Sequence, residues 1–300
     1  MQSAIAGLKA HQTKMDVVGN NIANVNTWGF KNKSANFADA MYQNFLTGTG
    51  GNATAGNLGG VNTSQIGYGS NLNSIIVNTQ PGTQSYTGRP GDCMINGPAF
   101  FIVGNFNATV GIGTATDDDA NALSAGGLSL SRVGAFTLDS NGYLVDDKGN
   151  YVYGYVTGTG DTVDENATTI SPIQLTQDLQ NNDITYNSLS IADDGTITVV
   201  DNNSVAHVVG KIAVAMVENT GGLEQDNGFL YGIGPNAGNV SVMTQREATG
   251  AILSGYLEMS NVDLATEMSY MITTQRGYQA NTRMITVSDE MLEELVNMKR

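Results

Sequence analysis

Residues 257–300, LEMSNVDLATEMSYMITTQRGYQANTRMITVSDEMLEELVNMKR, decide the fold. In this stretch Leu257, Leu264, Met271, Tyr278, Ile285 and Leu292 recur at every seventh position, reinforced by Met268, Ile272, Leu295 and Val296. An apolar period of seven predicts one long helix with a supercoiling seam. Ser260 or Asn261 would cap its start, Asp263 and Glu267 would lie near the positive end of its dipole, and Lys299 and Arg300 near the negative end. A helix from Asn261 to Arg300 would be roughly 60 Å long at about 1.5 Å per residue, more than a domain of this size covers alone.

The other end carries a matching pattern. Met1, Leu8, Met15 and Ile22 repeat every seven residues, with Ala4, Val18 and Val25 at the second seam position and His11 interrupting it. The helix should end near Asn26, where NTWGF supplies turn chemistry. Its last part, GNNIANVNTWGF (residues 19–30), holds Asn20, Asn21, Asn24 and Asn26. Asparagine is a poor helix former, so something beyond local propensity has to fix this segment. Residues 1–33 carry Lys9, Lys14, Lys31 and Lys33 against Asp16, whereas residues 257–300 carry seven acidic and four basic groups. The two ends are electrostatic opposites, and both are apolar along one seam.

Between them the composition changes. Glycine reaches 37 of 300 residues and charged residues only 14%, a mixture that favours strands joined by tight turns. LNSIIVNTQ, AFFIVGNF, AFTLDSNGYLVDDKGNYVYGY, SLSIADDGTITVVD and GKIAVAMVE alternate apolar and polar residues and are punctuated by Asn-Gly, Asp-Gly and Lys-Gly pairs, which read as hairpin turns. The expected fold is α+β: terminal coiled-coil-like helices (1–33 and 257–300) paired in a stalk, and a mainly antiparallel β body over 71–256. Residues 34–70 read as an extended Gly/Asn-rich connector that opens with a short amphipathic turn or helix at SANFADAMYQNFL. Residues 157–188 read as a small polar insertion.

Candidate chemistry is sparse. His11 and His207 stand on a helix and in a strand-like run, outside any metal-ligand spacing. In DSNGYLVDD and DDGTITVVD the glycine falls too early for a calcium loop. Asp117, Asp118 and Asp119 read as a solvated loop, and TGTGG lacks the Lys-Ser/Thr of a phosphate cradle. Cys93, the only cysteine, reads as a small buried apolar residue. No nucleophile with a base and no paired acids stand out, so neither enzyme activity nor a cofactor is expected. A formal charge of −15 argues against a nucleic-acid partner. No run of about 18 apolar residues is present, so no membrane insertion is expected. The first residues lack the basic start and apolar stretch of a secretory leader, and export is expected by another route.

HQTKMDVVGNNIANVNTWGFK (11–31) and SGYLEMSNVDLATEMSYMITTQRGYQANTRMITVSDEMLEELVN (254–297) resemble the two signature ends of the bacterial flagellar rod and hook protein family. GDCMINGPAFFIV, SRVGAFTLDSNGYLVDDKGNYVYGY and NTGGLEQDNGFLY are similar to its β-domain motifs, in order. Within the family the chain looks closest to short hook subunits, through MSNVDL, QRGYQ and the ending DEMLEELVNMKR; distal rod subunits share most of these motifs. The resemblance implies an extracellular tube of identical subunits, a universal joint that transmits motor torque. The subunits would be exported without a cleaved leader through the flagellar type III apparatus and would meet rod, hook cap and hook–filament junction proteins. Leu8, Met15, Asn20, Asn21, Ile22, Asn24, Val25, Leu257, Leu264, Met268, Met271, Tyr278, Ile285 and Leu292 are the expected assembly residues. Gly19 and Ala23 would permit close approach, and the asparagines would hydrogen-bond to neighbouring chains. A secreted glycan-binding or glycan-hydrolysing β protein is the reading outside this class. That reading requires a carboxylate pair and an aromatic platform, and the single Trp28 lies instead in the helix-terminal turn.

Overall fold

The heptad run forms a continuous helix, Leu264–Asn297, in the computed structural model of the chain. The structure describes residues 2–48, 50, 60–107, 110–112, 120–156, 158–159, 162–163, 168–177, 186–226, 228–243 and 250–298. The helix starts later than the heptads alone imply. Asp263 is its cap: the carboxylate accepts from the Ala265 N–H at 3.0 Å and from the Thr266 hydroxyl at 2.6 Å. These two bonds, the hydroxyl's foremost, hold the Asp263 carboxyl below its usual range. Leu257 falls outside the helix, in the strand Tyr256–Glu258, where it is buried with Val133 and Ala135. The N-terminal helix is Gln2–Ala23, ending before the predicted Asn26.

The chain divides into two compact units. The first comprises residues 1–24, 32–78 and 262–300. Here the two terminal helices pack on each other, and the N-terminal helix also packs on a strand pair, β1 (Lys33–Asp39) with β4 (Ser70–Val77). A second pair, β2 (Tyr42–Leu46) with β3 (Ser64–Gly67), continues from it through the Ala40 N–H to Gly69 O and Tyr68 N–H to Met41 O bonds. The expected connector is therefore in large part a two-stranded antiparallel ribbon, and SANFADAMYQNFL is strand instead of helix. Cross-strand pairing supplies the hydrogen bonds that its poor helix propensity could not. Residues 49 and 51–59 of the expected connector lie outside the described residues.

The second unit comprises residues 25–31 and 79–261. Its frame is a 14-stranded sheet in which every described pairing is antiparallel. The strand Phe100–Gly104 is buried throughout, with Phe101 and Val103 in one apolar cluster and Phe100 and Ile102 in another. Period-two alternation thus feeds a core on each face, which explains why AFFIV reads as an unbroken apolar run. The Asn-Gly, Lys-Gly and Asp-Gly pairs at 141–142, 148–149 and 194–195 are the tight turns expected, each with its glycine at positive φ. Part of the expected polar insertion belongs to this core: Ile170, Ile173 and Leu175 are fully buried. Residues 113–119, with the Asp117–Asp119 run, lie outside the described residues.

Candidate assembly surface

The surface of the first unit is built on the helix pair. A Cβ added at Gly7 would meet the Asn281 amide nitrogen at 2.7 Å, and one at Gly277 would meet the His11 ring at 2.7 Å. Lys14 lies over the Tyr270 ring at 5.3 Å. Partners on the C-terminal helix fall in number as those on the N-terminal helix rise, so the two run antiparallel. Glycine at 7 and 277 is what lets the Asn281 and His11 side chains lie this close to the facing helix. At Gly19, by contrast, an added Cβ would meet nothing within 4 Å, so the expected close approach there is absent within the chain.

On the C-terminal helix, Glu267 and Thr274 are buried, and Met271, Tyr278, Asn281, Ile285 and Ser288 are half-buried. These positions alternate steps of four and three. One seam position is the predicted Met271, Tyr278 and Ile285; the other, Glu267, Thr274, Asn281 and Ser288, is polar. Two heptad residues, Leu264 and Leu292, and the apolar residues that reinforced the heptads point away. Leu264, Met268, Ile272, Leu292, Leu295 and Val296 are all exposed. On the N-terminal helix Leu8, Met15, Ile22 and Asn24 are half-buried and Asn20 is exposed; Val25, in the second unit, is half-buried.

Asn21 behaves differently from the expectation. It is fully buried; its amide donates to Lys33 O at 2.8 Å and its oxygen accepts from the Lys33 N–H at 3.0 Å. Both ends of the side chain are committed to the edge of β1. Asn24 donates back to Asn20, at 2.9 Å to the carbonyl and 3.2 Å to the side-chain oxygen.

The ribbon adds apolar surface that sequence reasoning missed. Every residue of β2 and β3 is exposed; Met41 is 82% exposed, and Tyr42, Phe45, Leu46 and Ile66 more than half. In the alternation of FADAMYQNFL the signal was present, but it was hidden by the glycine-rich sequence that follows. Among the described residues, only Ala10 and Val18 of the buried apolar side chains belong to this unit. Among the described residues of the second unit, only Trp28, Tyr86, Phe106, Leu138 and Val205 are exposed large apolar residues.

An ion-pair cluster in the second unit was also missed. Lys31 donates to Glu258 Oε1 and to Gln80 O at 2.9 Å; the same carboxylate oxygen accepts from the Gly82 N–H at 2.7 Å. Arg132 stands 3.6 Å from Glu258 Oε2, lies over the Phe100 ring, and donates to Gly97 O at 2.7 Å. All three charged side chains are 1% exposed. Burial, with the Arg132 charge adding to it and Glu258 opposing, lowers Lys31 to about 8. A side chain at Gly82 would strike the Met259 carbonyl at 2.0 Å, so only glycine lets this backbone reach the carboxylate. The Glu258 carbonyl accepts from the Gly29 N–H at 2.8 Å, and the Asn261 amide donates to Gln80 O at 3.1 Å. The segments that follow the N-terminal helix and precede the C-terminal one are thus tied to each other within this unit.

The remaining candidates for chemistry are structural. Cys93 is fully buried, and burial with the nearby Asp92 charge pushes its thiol far above the usual range. His207 pairs across strands with Val199. Among the described residues no group of three or more His, Cys, Asp or Glu side chains could hold a metal, and no helix is long and apolar enough to cross a membrane.

Comparison with known proteins adds names to this geometry. Residues 253–298 match the family described as flagellar basal body rod FlgEFG protein C-terminal, and residues 1–31 match that described as flagella basal body rod protein. The chain is 39% identical to the flagellar basal-body rod protein FlgG of Bacillus subtilis (strain 168) over 303 positions, spanning 100% of this chain and 98% of the relative. It is 30% identical to FlgG of Caulobacter vibrioides, over 98% and 96% of the two chains. It is 28% identical to the flagellar hook protein FlgE of Borreliella burgdorferi over 448 positions, covering 100% and 99%.

Proposed function

The chain belongs to the flagellar rod and hook family of axial structural proteins, and from that premise we propose that it polymerises with copies of itself as the distal rod of the flagellar basal body. One observation carries the self-assembly. Among its described residues the first unit exposes most of the large apolar side chains and buries almost none; docking against copies would remove that surface from water. The alternating three-and-four seam supports a coiled-coil-like stalk for the terminal helices, with Leu264, Met268 and Leu292 left for neighbouring subunits. Export through the flagellar type III apparatus and contact with adjoining flagellar components belong to the same proposal.

The rod reading rests on the full-length correspondence with proteins named for the rod. The hook, which the motifs alone favour, is the second reading: the alignment with the hook relative covers the whole chain, yet it needs 448 positions against 303 for the first rod relative. Expression of this chain in bacteria lacking their own rod or hook subunit separates the two. Restored straight rods without restored hooks support the first reading; restored curved hooks without rods reverse it. Failure of the purified protein to form tubes at high concentration counts against both.

A further inference from the structure

Exposure divides the methionines between the two units. Among the described residues five methionines are exposed, Met41, Met268, Met284, Met291 and Met298, and all five belong to the first unit. In the second unit Met94 is buried, and Met216, Met243 and Met259 are half-buried. Three of the exposed ones sit in apolar surface on well-ordered backbone. Met268 lies one turn from Leu264 on one side and from Ile272 on the other, and the three are 49%, 42% and 50% exposed. Met284 lies farther along the same helix beside the exposed Val287, still within the length that faces the N-terminal helix. Met41, 82% exposed, adjoins Tyr42 at the start of the β2–β3 ribbon, and its carbonyl accepts from the Tyr68 N–H at 3.1 Å.

A thioether suits such surfaces, because it is unbranched and polarizable and adapts to neighbours of differing shape. It is also the apolar side chain that takes up oxygen. The sulfur lone pair attacks one oxygen of a hydroperoxide, the O–O bond breaks, and the other oxygen leaves as water or alcohol with the proton; sulfur loses two electrons and the peroxide gains them. The sulfoxide so formed is a strong hydrogen-bond acceptor. Water solvates it in the free subunit, whereas a subunit contact built on Leu264 and Ile272 would have to desolvate it without a donor. We propose that Met41, Met268 and Met284 are oxidation sites that control polymerisation: a hydroperoxide converts them to sulfoxides in the free subunit and blocks assembly, and assembly protects them by covering them. This rests on the self-assembly proposed above and adds a chemical control to it. Cys93 does not compete for the oxidant, being fully buried.

The test treats dilute full-length protein with hydrogen peroxide, removes the excess with catalase, and measures oxygen uptake at each methionine by peptide mass spectrometry and the lowest concentration at which tubes form. Met41, Met268 and Met284 should oxidise at least about tenfold faster than Met94, and treated protein should need at least about tenfold more subunit to form tubes. Methionine sulfoxide reductases for both sulfoxide epimers should restore the original concentration. In tubes formed before treatment, oxidation at the three positions should slow to near the Met94 rate. The variant Met41→Leu, Met268→Leu, Met284→Leu keeps an apolar surface without the sulfur. Whatever its own tube-forming concentration, peroxide should leave it unchanged. Oxidised wild type that polymerises as readily as untreated protein overturns the inference and leaves the self-assembly standing, as does a triple variant that peroxide disables as fully as wild type. Untreated wild type that forms no tubes overturns both. If the triple variant forms no tubes at all, repair is decisive: treated wild type that stays unassembled after the reductases have removed its sulfoxides overturns the inference.

Discussion

Glu258 balances two buried cations with one carboxylate. Replacing it with Gln leaves Lys31 and Arg132 without a counter-charge in a site closed to water, a change that costs about 3–5 kcal/mol when one partner of a buried pair is removed. Urea unfolding of the second unit, followed by near-ultraviolet signal, should show a loss of that order; a loss under about 1 kcal/mol would mean that water reaches the site. Lys31 adds a dependence on pH. Its folded value, about 8, lies below the ordinary 10.5. Between those values the unfolded chain binds the proton and the folded chain does not, so this group's contribution to stability rises with pH. The stability difference between wild type and Lys31→Met should therefore move in favour of wild type from about pH 8 to about pH 10.5, and a flat difference would contradict the assignment.

Helix against ribbon and helix against helix are two separate attachments. Asn21 makes the first: Asn21→Ala removes its two bonds to the Lys33 backbone, at a cost of about 1–3 kcal/mol. The expected readout is faster amide exchange in β1 and β4 with little change in the second unit. The second attachment divides the predicted seam residues into two kinds. Ile285 is half-buried toward the N-terminal helix, whereas Leu264 is exposed. Ile285→Asp should lower the helical signal of the isolated protein; Leu264→Asp should leave that signal intact and abolish polymerisation. Equal effects of the two on the isolated protein would refute this division of roles.

Across the whole molecule, apolar burial is distributed very unevenly. The second unit has both faces of its sheet buried, and the first holds only Ala10 and Val18 among the described buried apolar residues. Local stability follows buried contacts, so dilute protein should exchange amides slowly across the central strands and quickly in the terminal helices and ribbon. Polymerisation should then slow exchange in the helices and ribbon by orders of magnitude. Terminal helices already protected in dilute solution, with no tendency to form tubes, would remove the physical basis of the proposed function.

The sequence by itself determined the α+β plan, both terminal helices, the antiparallel body and its Asn-Gly, Lys-Gly and Asp-Gly turns, because heptad period, period-two alternation and turn chemistry are local properties of the chain. Tertiary structure decided the rest. Whether Leu257 continued the helix or closed a core depended on the Asp263 cap and on Val133 and Ala135; a seven-residue period cannot register a buried neighbour more than a hundred positions away. FADAMYQNFL became a strand because β3 pairs with it, Asn21 turned inward because Lys33 offers it a backbone edge, and Lys31, Arg132 and Glu258 met through folding alone. Long-range pairing and the desolvation of charge depend on what surrounds a residue in space, and that is fixed only when distant segments close on one another.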